Sequence, residues 1–252
     1  MVEPILKTAN LYKRFGALPV AEDVSLDILP SEIHALIGPN GAGKTSLLKL
    51  IAGFLIPDAG QVFFESADIT GYPVTARARL GMARTSQLTS IFRDASALEN
   101  MVLAYEASSG HPLKYFGRIT EPAVDAAMAA LHEVGLAEHA EATASALSHG
   151  EQRRLELAMA LVTSPLVLVL DEPLAGTSPD ETYAITRLLK TLKSRCAILL
   201  IEHDMDAVFS IADRISVMVA GKIIASGPPE MIKANTDVQA AYLGREQEAE
   251  HA

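Results

Sequence analysis

The run Gly38-Pro39-Asn40-Gly41-Ala42-Gly43-Lys44-Thr45 carries the densest chemical signal in the chain. It fits the pattern G-x-x-x-x-G-K-[ST]. An apolar stretch precedes it and a helix-like stretch follows, which is the context that pattern requires. Glycines let successive backbone N–H groups curl around a β-phosphate, and the helix N-terminus adds a partial positive charge. Lys44 would then reach β- and γ-phosphate oxygens, and the Thr45 hydroxyl would ligate Mg²⁺. Ser46 belongs to the same phosphate-facing turn. The bland alternative is a Gly-rich turn that only caps a helix; the flanking strand and helix disfavour it.

A second signal is Leu168-Val169-Leu170-Asp171-Glu172, an apolar run ending in two carboxylates. Asp171 would hold Mg²⁺ through water, and Glu172 would face an attacking water as general base. Acids meeting solvent at a strand end are common, but the Gly-rich loop makes that reading the weaker one. A third signal is Leu147-Ser148-His149-Gly150-Glu151-Gln152. Ser148 and Glu151 form S-x-x-E, a capping box at a helix start. A hydroxyl has one hydrogen and two lone pairs. Ser148 can therefore accept from its own helix and donate to a phosphate oxygen. With the Gly150 N–H, and Glu151 beside it, this turn forms a second anion site of the helix-terminus kind.

Periodicity supplies the elements that must position these groups. Ile5–Leu11 and Val24–Leu29 alternate as half-buried antiparallel strands do, and Gln61–Glu65 reads as another strand. Ile33–Ile37 is nearly all apolar, as buried strands are. Lys44–Ala52 reads as a helix with Leu47, Leu48 and Ile51 on one face and Gly53 as its stop. From Ser96 to Thr163 the pattern turns helical, with helices over Ala97–Ala107, Pro122–Val134 and Glu151–Val162. Ser108–Thr120 between them reads as a long loop. Alternation then returns: strand Leu166–Leu170, helix Pro179–Lys193, strand Ala197–Ile201, helix Asp204–Ala212. A hairpin-like pair, Ile215–Val219 and Lys222–Ala225, turns at Ala220-Gly221. The polar end Arg245–Ala252 reads as frayed. The whole is a mixed α/β core interrupted by a helical insert.

Composition bounds the function. The 252 residues are 49% hydrophobic, enough for a sizeable core. Lys and Arg number 21 against 31 Asp and Glu, a net charge of −10. That balance argues against nucleic acid as the main partner. The single Cys196 excludes a disulfide framework and a cysteine zinc site, and its place before Ala197–Ile201 reads as a core thiol. Met1-Val-Glu-Pro shows no basic stretch followed by an apolar one, so no signal peptide is expected. Apolar runs such as Leu166–Leu170 are far shorter than the roughly 20 residues of a membrane helix. A soluble, cytoplasmic chain is expected, with any membrane role passing through a partner.

Taken together, the three motifs resemble those of the ATP-binding-cassette (ABC) ATPases, over about residues 3–244. Leu147–Gln152 is similar to that family's L-S-G-G-Q signature, with His149 at the first glycine and Glu151 where the glutamine would stand, so that Gln152 follows one residue later. Other elements match in the family's order. Phe15, before Gly16, matches the aromatic that stacks on adenine. Gln87 matches the Q-loop glutamine, a metal and nucleotide contact between core and insert. Leu174–Pro179 matches the D-loop, with Ser178 where many members have Asp. His203 matches the switch histidine near the γ-phosphate. Alone, Phe15 reads as core, Gln87 as a surface amide and His203 as a capping or packing residue; their order and spacing favour the functional reading.

The resemblance implies an α/β fold: a P-loop NTPase (RecA-like) core with an antiparallel β subdomain and an inserted helical subdomain. It implies one nucleotide-binding domain, with core about 1–87 and 165–244, insert about 88–164 and tail 245–252. Implied cofactors are ATP and Mg²⁺, with Glu172, His203 and Lys44 as catalytic residues and Thr45, Gln87 and Asp171 toward the metal. Two ATP would sit in a head-to-tail dimer, each between the P-loop of one subunit and Ser148/Gly150 of a second ABC ATPase subunit, the same or a related chain. Further partners would be integral membrane permease subunits and, indirectly, a substrate-binding protein, with the chain peripheral on the inner face of the plasma membrane. Leu147–Glu156, Glu172–Pro179, Glu202-His203-Asp204-Met205 and Ala241-Tyr242-Leu243-Gly244 resemble the ATP-binding subunits of branched-chain amino-acid importers; the insert around Ser108–Thr120 is similar to the larger of their two ATPases. Alternatives are the ATPase of a urea or amide importer, a soluble ABC ATPase with no transport role, or a regulatory nucleotide-binding module; Glu172 and His203 argue against the last.

Overall fold

The computed structural model describes residues 2–85, 91–108 and 120–241. Strands β1 (Leu6–Phe15), β2 (Leu18–Ile28), β4 (Ala59–Phe64) and β5 (Ala67–Asp68) form an antiparallel sheet in the order β2-β1-β4-β5. A second sheet has the order β10-β9-β3-β8-β7-β6. It contains β3 (Ile33–Ile37), β6 (Met82–Arg84), β7 (Val167–Asp171), β8 (Ala197–Ile201), β9 (Arg214–Val219) and β10 (Lys222–Gly227). Strands β3, β6, β7, β8 and β9 run parallel, and β10 closes the edge antiparallel.

Every residue of β3, β7 and β8 is buried, because both faces of this sheet are covered. Alternation along the strands sorts their side chains. Leu168, Leu170, Ile198 and Leu200 join the helices on one face. Val167, Val169, Leu199 and Ile201 join helix α1 (Lys44–Ile51) and the antiparallel sheet on the other. The helical layer contains α3 (Ala97–Ser108), α4 (Glu121–Glu133) and α5 (His149–Leu161), which pack on one another. Helix α6 (Pro179–Leu192) precedes β8, and α7 (Met205–Ile211) follows it. A six-residue helix α2 (Val74–Arg79) leads into β6, and α8 (Pro229–Lys233) follows β10.

The alternating patterns locate β1 and β2 but cut them short. Tyr12–Phe15 and Leu18–Asp23 also pair, through register shifts between Thr8 and Leu11 and around Lys13. Each bulge breaks the two-residue period that marks a strand. The expected helices agree with α1 and α3 to α7 within about two residues at each end. The hairpin forms as expected: Ala220 and Gly221 both have positive φ, the type I′ geometry that suits the twist of paired strands. Cys196 is a buried thiol, as expected, and burial pushes its pKa to about 11. Most of the loop around Ser108–Thr120 and the tail Arg245–Ala252 lie outside the described residues.

Candidate nucleotide site

The parallel strands β3, β8 and β7 are neighbours, and the chain leaves each at the same edge of the sheet. Gly38 follows β3, Asp171 ends β7 and His203 follows β8. Ligands of open parallel sheets bind at this carboxyl edge. The sheet thus gathers three motifs that are far apart in sequence.

The Gly-rich loop is held tightly against its neighbours. A Cβ at Gly38 would meet the Met218 carbonyl oxygen at 2.0 Å, and one at Gly43 the Val20 carbonyl oxygen at 2.2 Å. Both have positive φ, so close approach and backbone conformation alike demand glycine. Gly43 is the N-cap of α1 and offers no side-chain acceptor to the helix's first N–H groups. Pro39, Asn40, Gly41 and Ala42 form the rest of the loop, with Ala42 N–H bonded to the Pro39 carbonyl. Lys44 is buried and its ammonium donates to the Gly38 carbonyl at 2.6 Å and the Pro39 carbonyl at 3.2 Å. The loop thus holds its own cation in place. Thr45 and Ser46 are half-buried in the first turn of α1.

Asp171 is 1% exposed, and neither carboxylate oxygen has a hydrogen-bond partner. Arg84 Nη2 lies 3.6 Å from Oδ2. Burial raises the pKa of this carboxyl, as does the charge of Glu172; Arg84, Lys49 and Lys44 oppose the rise. An orphaned buried carboxylate beside a hydroxyl-bearing helix turn suits a hard cation bound through oxygen and water. The residues therefore fit Mg²⁺. Among the described residues no group of three or more His, Cys, Asp or Glu could hold a metal.

Glu172 has φ +52°, a left-handed conformation that costs a non-glycine residue about 1–3 kcal/mol and concentrates at functional sites. Its Oε1 lies 3.7 Å from Nδ1 of His203, whose ring is largely exposed. Glu172 and His203 thus face each other across the edge. Phe15, at the end of β1, is half exposed, with the Lys13 ammonium 5.9 Å from its ring centre. An exposed ring suits stacking and departs from the core reading of the lone residue. Gln87 lies outside the described residues.

The signature turn sits in the helical layer. Ser148 caps α5: its Oγ accepts from Glu151 N–H at 3.2 Å, and Glu151 Oε2 accepts from Ser148 N–H at 2.8 Å. Glu151 is thereby a capping residue; the Ser148 backbone donor holds its pKa down. Ser148 Oγ also donates to Glu181 Oε1 at 3.3 Å, and Gly150 N–H donates to the same carboxylate. A Cβ at Gly150 would lie 2.1 Å from that carboxyl group. His149 Nε2 donates to the Ala175 carbonyl at 3.3 Å, so the residue that replaces a glycine touches the D-loop segment. Ser178 caps α6 in a second capping box with Glu181. Sequence reasoning missed the contact of Glu181 with Ser148 and that of Arg84 with Asp171, because each joins residues far apart along the chain.

Residues 21–175 match the ABC transporter family, and residues 222–248 match the branched-chain amino acid ATP-binding cassette transporter family. The high-affinity branched-chain amino acid transport ATP-binding protein LivG of Escherichia coli K12 is 41% identical, covering 97% of this chain and 99% of its own. BraF of Pseudomonas aeruginosa, named for the same transport, is 39% identical over the same shares. The crystal structure of the ADP conformation of an ATP-binding cassette of an ABC transporter superposes with a TM-score of 0.88 at 32% identity, covering 96% of this chain and 100% of its own. The chain belongs to the ABC transporter family, in its branched-chain amino-acid ATP-binding branch, and is an ATP-binding cassette with ATPase activity.

Proposed function

We propose that this chain is the ATP-hydrolysing subunit of an importer for branched-chain or hydrophobic amino acids. The observation that carries the site assignment is the orphaned Asp171 carboxylate, next to Glu172 and on the same sheet edge as Lys44. In this reading the loop Gly38–Gly43 and the helix α1 N-terminus cradle the phosphates. Lys44 exchanges its own carbonyls for β- and γ-phosphate oxygens. Thr45 and Asp171 would hold Mg²⁺, with Gln87 as a further contact; the ion would supply charge neutralisation on the phosphates. Glu172 takes the proton of the attacking water, and His203 contacts the γ-phosphate end. Phe15 stacks on the base.

Ser148 and Gly150 complete the site of a second subunit. Helix α5 packs on α3 and α4, whereas α1 packs on β2 and β7, which supports a signature that serves a neighbouring molecule. At a net charge of −10 two such chains repel weakly, so Mg-ATP bridges them, and hydrolysis lets them part. A cleft of about 620 Å³ lies between α2, β6, α3 and α5, lined by Phe54, Arg84, Ala107 and Met159. The half-exposed Phe54 ring lies under the Arg84 guanidinium at 4.9 Å. A cleft of mixed apolar and basic lining, which includes the arginine that touches Asp171, supports docking of a membrane permease there. Among the described residues no helix is long and apolar enough to cross a membrane.

Uptake of isotope-labelled leucine by cells lacking the gene, and by cells carrying it back, tests the transport reading. Restored uptake is expected; unchanged uptake in the deletion strain would overturn the substrate class.

A further inference from the structure

Glu202 is buried to 1% exposure and has no part in the mechanism above. It stands one residue beyond β8 and one before His203. Its Oε1 accepts from Leu174 N–H at 2.7 Å and its Oε2 from His203 N–H at 3.1 Å. The Asp204 backbone adds a further donor. One side chain thus joins the segment that follows the catalytic base to the segment that carries the histidine.

The backbone around Glu172 explains why such a tie is needed. Glu172 occupies a left-handed conformation that a glutamate avoids unless its surroundings fix it. Glu172 N–H donates to the Ile201 carbonyl at 2.9 Å. Pro173 has no N–H. The next donor, Leu174 N–H, goes to Glu202. Both donors of this turn are therefore directed onto the end of β8, one to its backbone and one to Glu202. We propose that Glu202 is a positioning residue for ATP hydrolysis: its carboxylate locks the Leu174 and His203 backbones together and so holds Glu172 opposite the His203 ring. This rests on the reading of Glu172 as general base.

The isosteric Glu202→Gln keeps the volume but presents one carbonyl oxygen and one NH₂ to donors that both need an acceptor. Steady-state phosphate release by the full-length chain is measured for wild type, Glu202→Gln, Glu172→Gln and the double variant. Glu202→Gln is expected to lower kcat by about ten- to a hundredfold, as small misplacements of catalytic groups do. KM for ATP should stay within about twofold, because the phosphate loop is untouched. In the Glu172→Gln background the second change should add no further loss, since no base remains to be positioned. A wild-type kcat in Glu202→Gln, a loss seen only in KM, or a full additional loss in the double variant would overturn the positioning role. Full turnover by Glu172→Gln would overturn the base assignment instead, and the two failures are told apart by that single variant.

Discussion

The Ser148 hydroxyl donates to the Glu181 carboxylate across 3.3 Å, and the Gly150 N–H donates to the same group. The two donors proposed to take a γ-phosphate from a second subunit thus already hold an anion from their own chain. Glu181 is shared with the Ser178 cap at the start of α6, whose backbone N–H is the main reason its pKa is held down. A phosphate must displace this carboxylate and is repelled by it. Glu181→Gln keeps an oxygen for the Ser178 cap and removes the charge. The variant should hydrolyse ATP with a KM about three- to tenfold lower, the range for one solvent-exposed hydrogen bond. An ATP titration of phosphate release reads this directly; an unchanged or higher KM would show that the contact does not compete with nucleotide.

Lys44 and Glu172 should fail in different ways. Lys44→Ala removes the cation that the Gly38 and Pro39 carbonyls hold over the loop. Nucleotide affinity should drop by about ten- to a hundredfold, the range for a charge-assisted phosphate contact. Glu172→Gln leaves the cradle intact, so ATP should bind and keep the subunits dimeric while hydrolysis falls by about 10²–10⁴-fold. Fluorescent-nucleotide titration and size-exclusion chromatography separate the two. Unchanged affinity in Lys44→Ala would argue against the phosphate assignment.

Asp171 sets stability against function. Its carboxylate is buried and accepts no hydrogen bond, although Arg84 lies 3.6 Å away and the charges of Lys44 and Lys49 also act on it; a charge buried without hydrogen bonds destabilises the fold. Asp171→Asn removes the charge at constant volume. The nucleotide-free variant should melt about 2 °C or more above wild type, the shift expected from about 1 kcal/mol in a chain of this size. The extra stabilisation that Mg²⁺ confers in the presence of ATP should shrink. Scanning calorimetry with ATP and either Mg²⁺ or a chelator measures both. A lower melting temperature without nucleotide would mean that the carboxylate is better satisfied than its surroundings suggest.

What the sequence makes legible is local or periodic. Gly38–Thr45 and Leu168–Glu172 could be read because each motif is contiguous, and β3, β7 and β8 because a nearly all-apolar run needs no partner to be recognised. Glu181, Glu202 and Arg84 were not legible as site residues, since the contacts that matter, with Ser148, Leu174 and Asp171, are brought near only by the fold. Arg77 is the plainest case. Within Val74–Arg79 it looks like a surface cation, yet it is 1% exposed and donates to the carbonyls of Leu50, Ile51, Thr70 and Tyr72. It satisfies the C-terminal end of α1, the helix that carries Lys44. Helix α2 and strand β6 are six and three residues long, too short for any period to emerge. Glu151 was legible twice over, as signature residue and as capping partner, and the structure gives it the second role.

His34 makes stability depend on pH. It lies on β3, fully buried, with Nε2 2.8 Å from Ser216 Oγ. Burial first, and then the Arg214 guanidinium, lower its pKa from 6.5 to about 3, against smaller opposing effects of Asp27. The ring is therefore neutral, and its 3.9 Å approach to Glu32 is no ion pair at neutral pH. Once unfolded, the ring titrates near its ordinary value. Between those two values the unfolded chain binds one proton more than the folded chain, so acid favours unfolding. Stability should be complete above pH 6.5 and fall by up to about 1.4 kcal/mol per unit as the pH drops toward 3. The interval from pH 6 to 5 shows the effect best, because most carboxylates titrate lower, while the buried carboxyls of Asp171 and Glu202, raised by burial, act with the opposite sign. Urea unfolding at several pH values should give this slope for the wild type. In His34→Gln, which keeps a polar group toward Ser216 and has no ring to protonate, the slope should vanish over that interval; if it persists, some other group sets the acid limit.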